Sequence, residues 1–543
     1  MRPPLWLALA LPLVGCSARS APPPVAAAPT NVQSAPRSAA APPGPGAPLP
    51  TASTTPERKL DVAAARHALN RFAFGPRLGE AEALATQGFG KWLDLQLAKN
   101  PEKEPALESA LSPYREALAP PSQLVESWLG DDWTQEVTVG PDLNRRIQPY
   151  FRDHLAKLAL AEVTRHVLGE RQLEEVMVDF WANHFNVFAK KGLVRVFAGD
   201  YIERAVRPNA FGRFEDLLLA TAHHPAMLIY LDNAQSSAKR GHDTDPKSKK
   251  GGGLNENYAR ELLELHTLGV DGGYTQQDVT EVARILTGFS VARPQQGEFE
   301  FVFRKARHDA GEKKALGQLF PAGHGEDEGV RLLKLLAAHP ATAKHLSSKL
   351  CALFVADDPP PSCVEAATRA YRESDGEIRQ VVRAIAGDES FWSDAVRGAK
   401  LKTPLEFVAS SLRAIGEKPD GTSDLSRALQ ALGEPLLEES VPTGYPDAAP
   451  EWASSSGMLA RMSFATSLAL GKVPGVSHAS ESPLAHVEER VLVAEANRVL
   501  LGGSASAKTL DAVTAALDGI KQPDRRRELT LALLLGSPEF QRQ

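Results

Sequence analysis

Three carboxylates and one guanidinium lie close together in the segment 255–269, whose sequence is NENYARELLELHTLG. If this segment is a regular helix, each residue turns by 100°, and the four charged side chains fall within about 140° of one another. Such a face could bind a cation or supply a carboxylic acid with a raised pKa for acid–base catalysis. It could equally be a solvated stripe that contains an Arg260–Glu264 ion pair. The candidate catalytic residues on this face are Glu256, Arg260, Glu261 and Glu264.

Histidines and an aspartate supply a second group of candidates. His184 lies in the segment 179–188, DFWANHFNVF, whose aromatic rings favour burial. A buried imidazole needs hydrogen-bond partners for both nitrogens, and Asp179 lies five residues earlier. His184 is therefore a further candidate catalytic residue, and His184, His308 and Asp309 are candidate ligands of a divalent metal cofactor. The alternative is that these histidines are core residues whose neighbours satisfy them.

The composition and the motifs that are missing exclude several classes of function. The 543 residues include 61 Lys and Arg against 67 Asp and Glu, a formal net charge of -6. This balance argues against nucleic acid as the partner of a broadly basic surface. The sequence contains no HExxH, GxSxG, P-loop, paired CxxC or EF-hand motif. The common metalloprotease, α/β-hydrolase, nucleotide-binding and calcium-loop sites are therefore not expected.

The elements that must position these residues are predicted to be helices. Apolar residues recur at three- and four-residue spacing through most of residues 59–543. Thr403, Pro404 and Glu406 have the order of a helix start with a capping box, and Gly416 is a stop signal. Residues 297–303 alternate in polarity, and a second such stretch returns near 315–320. We therefore expect an all-α fold with one small β-hairpin near 297–320.

The amino terminus is typical of an exported protein. Residues 1–15 combine one positive charge with an apolar run that is too short to span a bilayer permanently, which predicts a signal peptide. The run ends in LVGC, which resembles the cleavage site of bacterial lipoproteins and implies that Cys16 carries a lipid with acyl chains such as palmitate. An ordinary secretory signal is the alternative. Ser17 follows the cysteine, so the expected address is the outer membrane, reached through the lipid anchor.

Residues 16–58 are predicted to be a disordered tether between the lipid and the folded part. They are almost wholly Ala, Pro, Ser, Thr and Gly, a composition that cannot bury a core. Residues 59–543 then form one large helical domain, unless a boundary near 390–400 divides it. Cys351 and Cys363 are an even pair in an exported chain, which favours a disulfide over two buried thiols.

Several segments together resemble a known family. They are FWANHFNVF, HHPAMLIYLDN, NENYARELLELHTLGVDGGYTQQDVTEVARILTGF, HDAGEKKALG, KLCALFVADDPP, TPLEFVASSLRA and VPTGYPDAAPEW, in this order. In this respect the chain resembles the bacterial family catalogued as domain of unknown function 1800, over nearly all of residues 60–540. The resemblance implies an exported, largely helical protein, often encoded beside a sulfatase-like exported protein that is a candidate partner. Its polar signature falls on Asn183, His184, Asn255, Glu256, Arg260, Glu261, Glu264, His266, His308 and Asp309.

Two functions from different classes follow. The first is a lipid-tethered envelope scaffold or assembly component that works with another exported protein. It predicts that the polar clusters pair internally and that the surface carries a large exposed apolar patch. The second is a metal-dependent or acid–base hydrolase that acts on envelope or extracellular polymers. It predicts that the candidate side chains converge in one cleft.

Overall fold

The computed structural model describes residues 57–99, 102–130, 141–238, 253–292, 299–478 and 482–543. The expected signal peptide, the expected lipidation site at Cys16 and all but the last residues of the expected tether lie outside these ranges. All described residues belong to one compact unit.

The fold is mainly helical, as the apolar periodicity predicts. The α-helices are α1 Val62–Phe72, α2 Glu80–Gln87, α3 Phe89–Gln96, α4 Pro105–Ala110, α5 Pro121–Leu129, α6 Pro141–Leu168, α7 Gln172–His184, α8 Val194–Asp200, α9 Phe214–His223, α10 Pro225–Tyr230, α11 Asn257–Glu261, α12 Gln276–Ile285, α13 Glu326–Ala337, α14 Pro340–Phe354, α15 Pro361–Glu373, α16 Ile378–Gly387, α17 Pro404–Ile415, α18 Ser426–Leu432, α19 Ala449–Trp452, α20 Ser455–Ala469, α21 Leu492–Leu501, α22 Ala507–Ala516, α23 Pro523–Leu535 and α24 Pro538–Gln541. Two segments, Tyr201–Val206 and Leu262–Thr267, are π-helical.

Short antiparallel strand pairs complete the secondary structure of the described residues. The strands are β1 Phe289–Val291, β2 Phe301–Phe303, β3 Lys313–Ala315, β4 Gln318–Phe320, β5 Lys418–Pro419 and β6 Val476–Ser477. They pair as β1–β2, β3–β4 and β5–β6.

The predicted pairing of the hairpin near 297–320 is wrong. Strand β2, at 301–303, pairs with β1, which precedes it in the chain. Strand β4, at 318–320, pairs with β3 and not with β2. The reason is local, because Leu316 and Gly317 both have positive φ, at 52° and 74°. Two consecutive residues with positive φ form the tight turn that closes a two-residue hairpin. Because of that turn, β4 pairs with β3, and β2 pairs with β1.

Sequence signals for helix ends are confirmed where they are strongest. Thr403 and Glu406 form a reciprocal capping box at the start of α17, and the helix ends at Gly416 in the left-handed conformation. Thr275 and Asp278 do the same for α12. Each box satisfies two backbone N–H groups that would otherwise have no partner in the first turn. These caps matter for the site below because α17 starts at its edge.

One large hydrophobic cluster holds the helices together. It draws on residues from Ala64 to Phe540 and includes side chains on both sides of the segment 390–400. Among the described residues, no helix combines the length and the hydropathy needed to cross a membrane. The loop between α14 and α15 is closed by a disulfide between Cys351 and Cys363.

Replacing Cys363 with Ser is expected to lower the free energy of unfolding by about 3 kcal/mol, because the bridge closes a loop of roughly a dozen residues in the unfolded chain. Equilibrium urea unfolding measures this. Reduction should destabilise the wild-type protein by the same amount and leave Cys363→Ser unchanged. Equal stability of the oxidised wild type and the variant would contradict the prediction.

Candidate functional site

The segment NENYARELLELHTLG is not one regular helix. Its α-helical part, α11, ends at Glu261, and the chain continues in the π-helical conformation over Leu262–Thr267. In that conformation backbone bonds join residues five apart rather than four. The side chain of Thr267 follows the same spacing, since its hydroxyl donates to the carbonyl of Leu262 at 2.6 Å. A constant turn of 100° per residue therefore does not hold past Glu261.

The charged residues of this segment make local pairs at a partly exposed surface. Glu256 accepts hydrogen bonds from Thr280 and Gln276, both at 2.8 Å, and lies 3.8 Å from Arg260. Glu264 accepts a hydrogen bond from the hydroxyl of Tyr274 at 3.2 Å. Partial burial and the neighbouring charge of Glu264 raise the pKa of Glu261, which Arg260 opposes. These contacts fit the solvated stripe better than a closed cleft.

His184 belongs to a buried cluster of three histidines. Its ring lies 6.0 Å from that of His266 and 6.3 Å from that of His345, measured between centroids. One of its nitrogens contacts the carbonyl oxygen of His266 at 3.2 Å. Burial lowers the pKa of all three, and the charge of Lys349 lowers each further. The cluster is therefore neutral and packs between aromatic rings.

His308 and Asp309 belong to a different network and point to different partners. The ring of His308 donates to the carbonyl of Thr287 at 2.7 Å, and its other nitrogen lies 3.5 Å from Glu328. Glu328 also pairs with Lys313, whose side chain is fully buried. Asp309 makes two hydrogen bonds with Arg284, at 2.8 and 3.2 Å. The carboxylate of Asp309 is thus committed to a guanidinium.

The structure does not bring His184, His308 and Asp309 to within ligand distance of one another. Among the described residues, one group of three potential ligands has its atoms within 4.8 Å, and it consists of other side chains. Among the described residues, the hydrogen bonds and ion pairs of Glu256, Arg260 and Glu264 join Gln276, Thr280, Tyr274 and one another, and include none to His184 or His308. The sequence-predicted residues therefore lie in separate networks.

A cavity of about 100 Å³ lies elsewhere, where α6, α7, the segment 400–406 and the loop 434–447 meet. We call it the acidic cavity, because Asp and Glu are the most numerous residues of its polar lining. The polar residues that line it are Glu162, His166, Asp179, Asn183, Asn186, Lys400, Thr403, Glu406, Glu434, Tyr445 and Asp447. Lys400 is paired with Asp357, so its charge is already partly compensated.

Asp179 is the unpaired acid of the acidic cavity. It lies on α7 and forms no hydrogen bond or ion pair with any described residue. Burial raises its pKa well above the usual range, and the carboxylates of Glu434, Glu406, Glu162 and Asp447 raise it further. Burial and neighbouring like charges both favour the neutral form of a carboxyl. The protonated form of Asp179 is therefore favoured, and the residue lines the cavity.

Glu434 is the second perturbed acid of the acidic cavity. Burial raises its pKa to about 7, opposed by hydrogen bonds from the backbone N–H of Leu405 and from Thr403. The bond from Leu405 is 2.7 Å long. Leu405 lies in the first turn of α17, where backbone N–H groups lack partners within the helix. Glu434 therefore caps α17 from a distant loop and exchanges a proton near neutral pH.

Two asparagines hold the loop 434–447 over the cavity. Asn183 lies on α7, and Asn186 follows the end of that helix. The side chain of Asn183 donates to the carbonyl of Tyr445 at 2.9 Å and accepts from its N–H at 2.7 Å. Asn186 donates to the carbonyls of Glu439 and Val441, at 3.0 and 2.8 Å. These residues position the loop rather than react. These contacts explain why Asn183 and Asn186 occur within the largely aromatic segment FWANHFNVF.

A buried ion network forms one wall of the cavity. Arg207 binds Glu175 at 2.7 Å, Glu162 at 3.0 Å and Glu203 at 3.2 Å. Burial alone would lower the pKa of Arg207, but the three carboxylates raise it well above the usual value. Next to them, burial and the charges of Arg207 and Arg165 lower the pKa of His166 to about 3. Its ring stacks on Phe74 with centroids 4.1 Å apart.

Sequence reasoning missed most of these residues, although a signal was present. Glu162 and His166 are four residues apart in the stretch 155–168, which is mostly Leu, Ala and Val, and Glu175 and Asp179 have the same spacing in α7. Residues four apart share one face of a helix. Two charged pairs on apolar helices indicate a polar interior. Glu406 and Glu434 carried no comparable signal.

One comparison with known proteins identifies a family. The model of the family described as protein of unknown function (DUF1800) matches residues 67–542. The chain belongs to this family. No curated protein and no solved structure matches it significantly. Four of the segments that suggested the family, those beginning at residues 180, 349, 403 and 441, contribute side chains to the acidic cavity.

Gly444 leaves no room for a side chain where the loop crosses α7. A Cβ there would lie 2.5 Å from the carbonyl oxygen of Asn183 and nearer still to Oδ1, at a φ of +73°. Gly444→Ala is expected to cost about 2 kcal/mol more than Gly433→Ala, whose glycine has φ +97° but open space around it. Chemical unfolding of both variants measures the difference. Equal costs would mean that the loop does not rest on Asn183.

The raised pKa of Glu434 predicts a dependence of stability on pH. A carboxyl whose folded-state pKa exceeds its unfolded value contributes stability at low pH, which is lost as the pH rises through the folded pKa of about 7. Between pH 4.5 and 8 the free energy of unfolding should therefore fall by about 3 kcal/mol more in the wild type than in Glu434→Gln. Parallel pH profiles of the two proteins would contradict this.

Proposed function

We propose that this protein is an acid–base hydrolase that acts on polymers of the cell envelope or its surroundings. The observation that carries the proposal is the unpaired carboxylic acid of Asp179 in a cavity lined by further carboxylates. Environments that hold one carboxyl protonated beside another that exchanges its proton are typical of acid–base pairs. Reactions of this kind need both groups to face the same space, and both line the acidic cavity.

In the proposed reaction, Asp179 is the acid and Glu434 is the base. The oxygen of a water molecule bonds to the electrophilic centre of the substrate while the bond from that centre to the leaving oxygen breaks. Asp179 gives its proton to the leaving oxygen, and the carboxylate of Glu434 takes a proton from the water. Exchange with solvent returns Asp179 to its protonated form and Glu434 to its ionised form. The loop held by Asn183 and Asn186 limits the access of bulk water.

A scaffold role is the weaker candidate. It predicts a broad apolar surface, but the exposed large apolar side chains among the described residues are scattered over separate segments. Leu459 and Met462 on α20 are the pair that shares a helix face. Such isolated residues are ordinary on soluble surfaces. We also propose that the chain is lipid-anchored at Cys16 in the outer membrane and works beside a sulfatase-like exported protein, on the sequence features given above.

Hydrolysis by the full-length protein tests the proposal. Chromogenic glycosides and esters and purified envelope glycans are the substrates. Asp179→Asn should reduce kcat by at least about a hundredfold, because positioned proton transfer contributes 10²–10⁴ in rate. Glu434→Gln should lower kcat and remove the rise of kcat as the pH passes through the pKa of Glu434, about 7. Glu365→Gln, which changes an exposed acid on α15, is the matched control and should be unaffected.

Glu261→Gln separates the two possible sites. If Glu261→Gln loses activity and Asp179→Asn retains it, the reaction takes place on the charged face predicted from the sequence. That result would overturn the proposal. No turnover of any substrate by a folded wild-type protein would favour the scaffold.

A further inference from the structure

Glu162, His166 and Glu175 form a compact group beside the acidic cavity. One oxygen or nitrogen from each lies within 4.8 Å of the others. Glu162 and His166 belong to α6 and Glu175 to α7, so the group bridges two facing helices. The three residues are 8%, 1% and 3% exposed. Glu162 and His166 also line the cavity, which gives the group access to a small ligand.

Several polar atoms of this group have no partner. Neither ring nitrogen of His166 forms a hydrogen bond with a described residue, and the same holds for Oε2 of Glu175. A buried polar atom without a partner costs about 1–3 kcal/mol. His166 donates or accepts nothing, although it lies next to two carboxylates. A cation between these residues would bind one ring nitrogen of His166 and Oε2 of Glu175.

Arg207 leaves these atoms free and orients their carboxylates. It binds Oε1 of Glu175 and Oε2 of Glu162, so Oε2 of Glu175 keeps its lone pairs. Glu203 and Arg165 extend the network. Three carboxyl groups face two guanidinium groups, and burial raises the pKa of Glu162 to about 7, so the excess acid holds either a proton or an uncompensated negative charge. Groups that hold ligand side chains in place in this way are a regular feature of metal sites.

We propose that Glu162, His166 and Glu175 bind one divalent first-row transition metal ion. An imidazole nitrogen with two carboxylate oxygens is a donor set that suits Zn²⁺. Three protein ligands leave a coordination position that opens toward the acidic cavity. Any part of the ion in catalysis rests on the proposed function, whereas its binding does not.

The test uses the full-length protein, stripped with EDTA and titrated with ZnCl₂ by calorimetry, with elemental analysis after dialysis. The wild type should bind one equivalent of Zn²⁺. His166→Leu and Glu175→Gln should bind at least about a hundredfold more weakly, since even an indirect partner of a metal ligand costs 10–100-fold. Glu365→Gln is the control, because it removes an exposed carboxylate of α15 outside this ion network, and it should keep one equivalent.

Loss of binding must be separated from loss of fold. His166→Leu removes two unpartnered nitrogens at similar volume, so its thermal unfolding without Zn²⁺ should equal or exceed that of the wild type. If a variant unfolds, zinc X-ray absorption of the wild type decides. One imidazole with oxygen ligands supports the site, and two or more imidazoles or any sulfur overturns it.

The proposal fails if the wild type binds no stoichiometric Zn²⁺, or if His166→Leu and Glu175→Gln bind it as tightly as the wild type. In that case, EDTA-treated wild type should still hydrolyse the substrate, and EDTA-treated Asp179→Asn should not. Conversely, absence of hydrolysis leaves the Zn²⁺ stoichiometry unchanged. The two results therefore distinguish the metal site from the reaction.

Discussion

The guanidinium of Arg207 is buried where three glutamates converge, and the arrangement of the site depends on it. Glu162 comes from α6, Glu175 from α7 and Glu203 from the π-helical segment Tyr201–Val206. A buried charge with one partner removed costs about 3–5 kcal/mol, so these elements cannot separate without a large penalty. The network fixes how α6 and α7 face each other. The same two helices form the floor of the acidic cavity.

An excess of negative charge follows from this arrangement. The network already uses two guanidinium groups, and Lys400 is paired with Asp357. An isolated buried carboxylate is not stable, so an acid of the cavity without a partner must hold a proton or attract a cation. Asp179 and Glu434 respond in the first way through their raised pKa values. The group around His166 has the free atoms for the second.

Most of the helical architecture could be predicted from the sequence, because caps and apolar spacing are local. The capping boxes of α12 and α17 lie where their residues indicate. The hairpin was paired wrongly, since the positive φ values at Leu316 and Gly317 decide the partner and polarity alternation does not reveal them. The shared helix face expected for the charged segment around Glu261 does not form, for a related reason. A change to the π-helical conformation breaks the angular pattern on which its shared face was argued.

By itself, the sequence determined the helical class, the family, the helix starts and the charged residues that stand out on apolar helices. The tertiary structure alone decided which of those residues meet. Asn183 binds Tyr445 across 262 positions of the chain, and Glu434 caps α17 from a loop 29 residues away. Apolar periodicity indicates which face of one helix is buried. It does not indicate which residues of a distant segment contact that face. The acidic cavity therefore became visible once the long-range contacts placed its acids together.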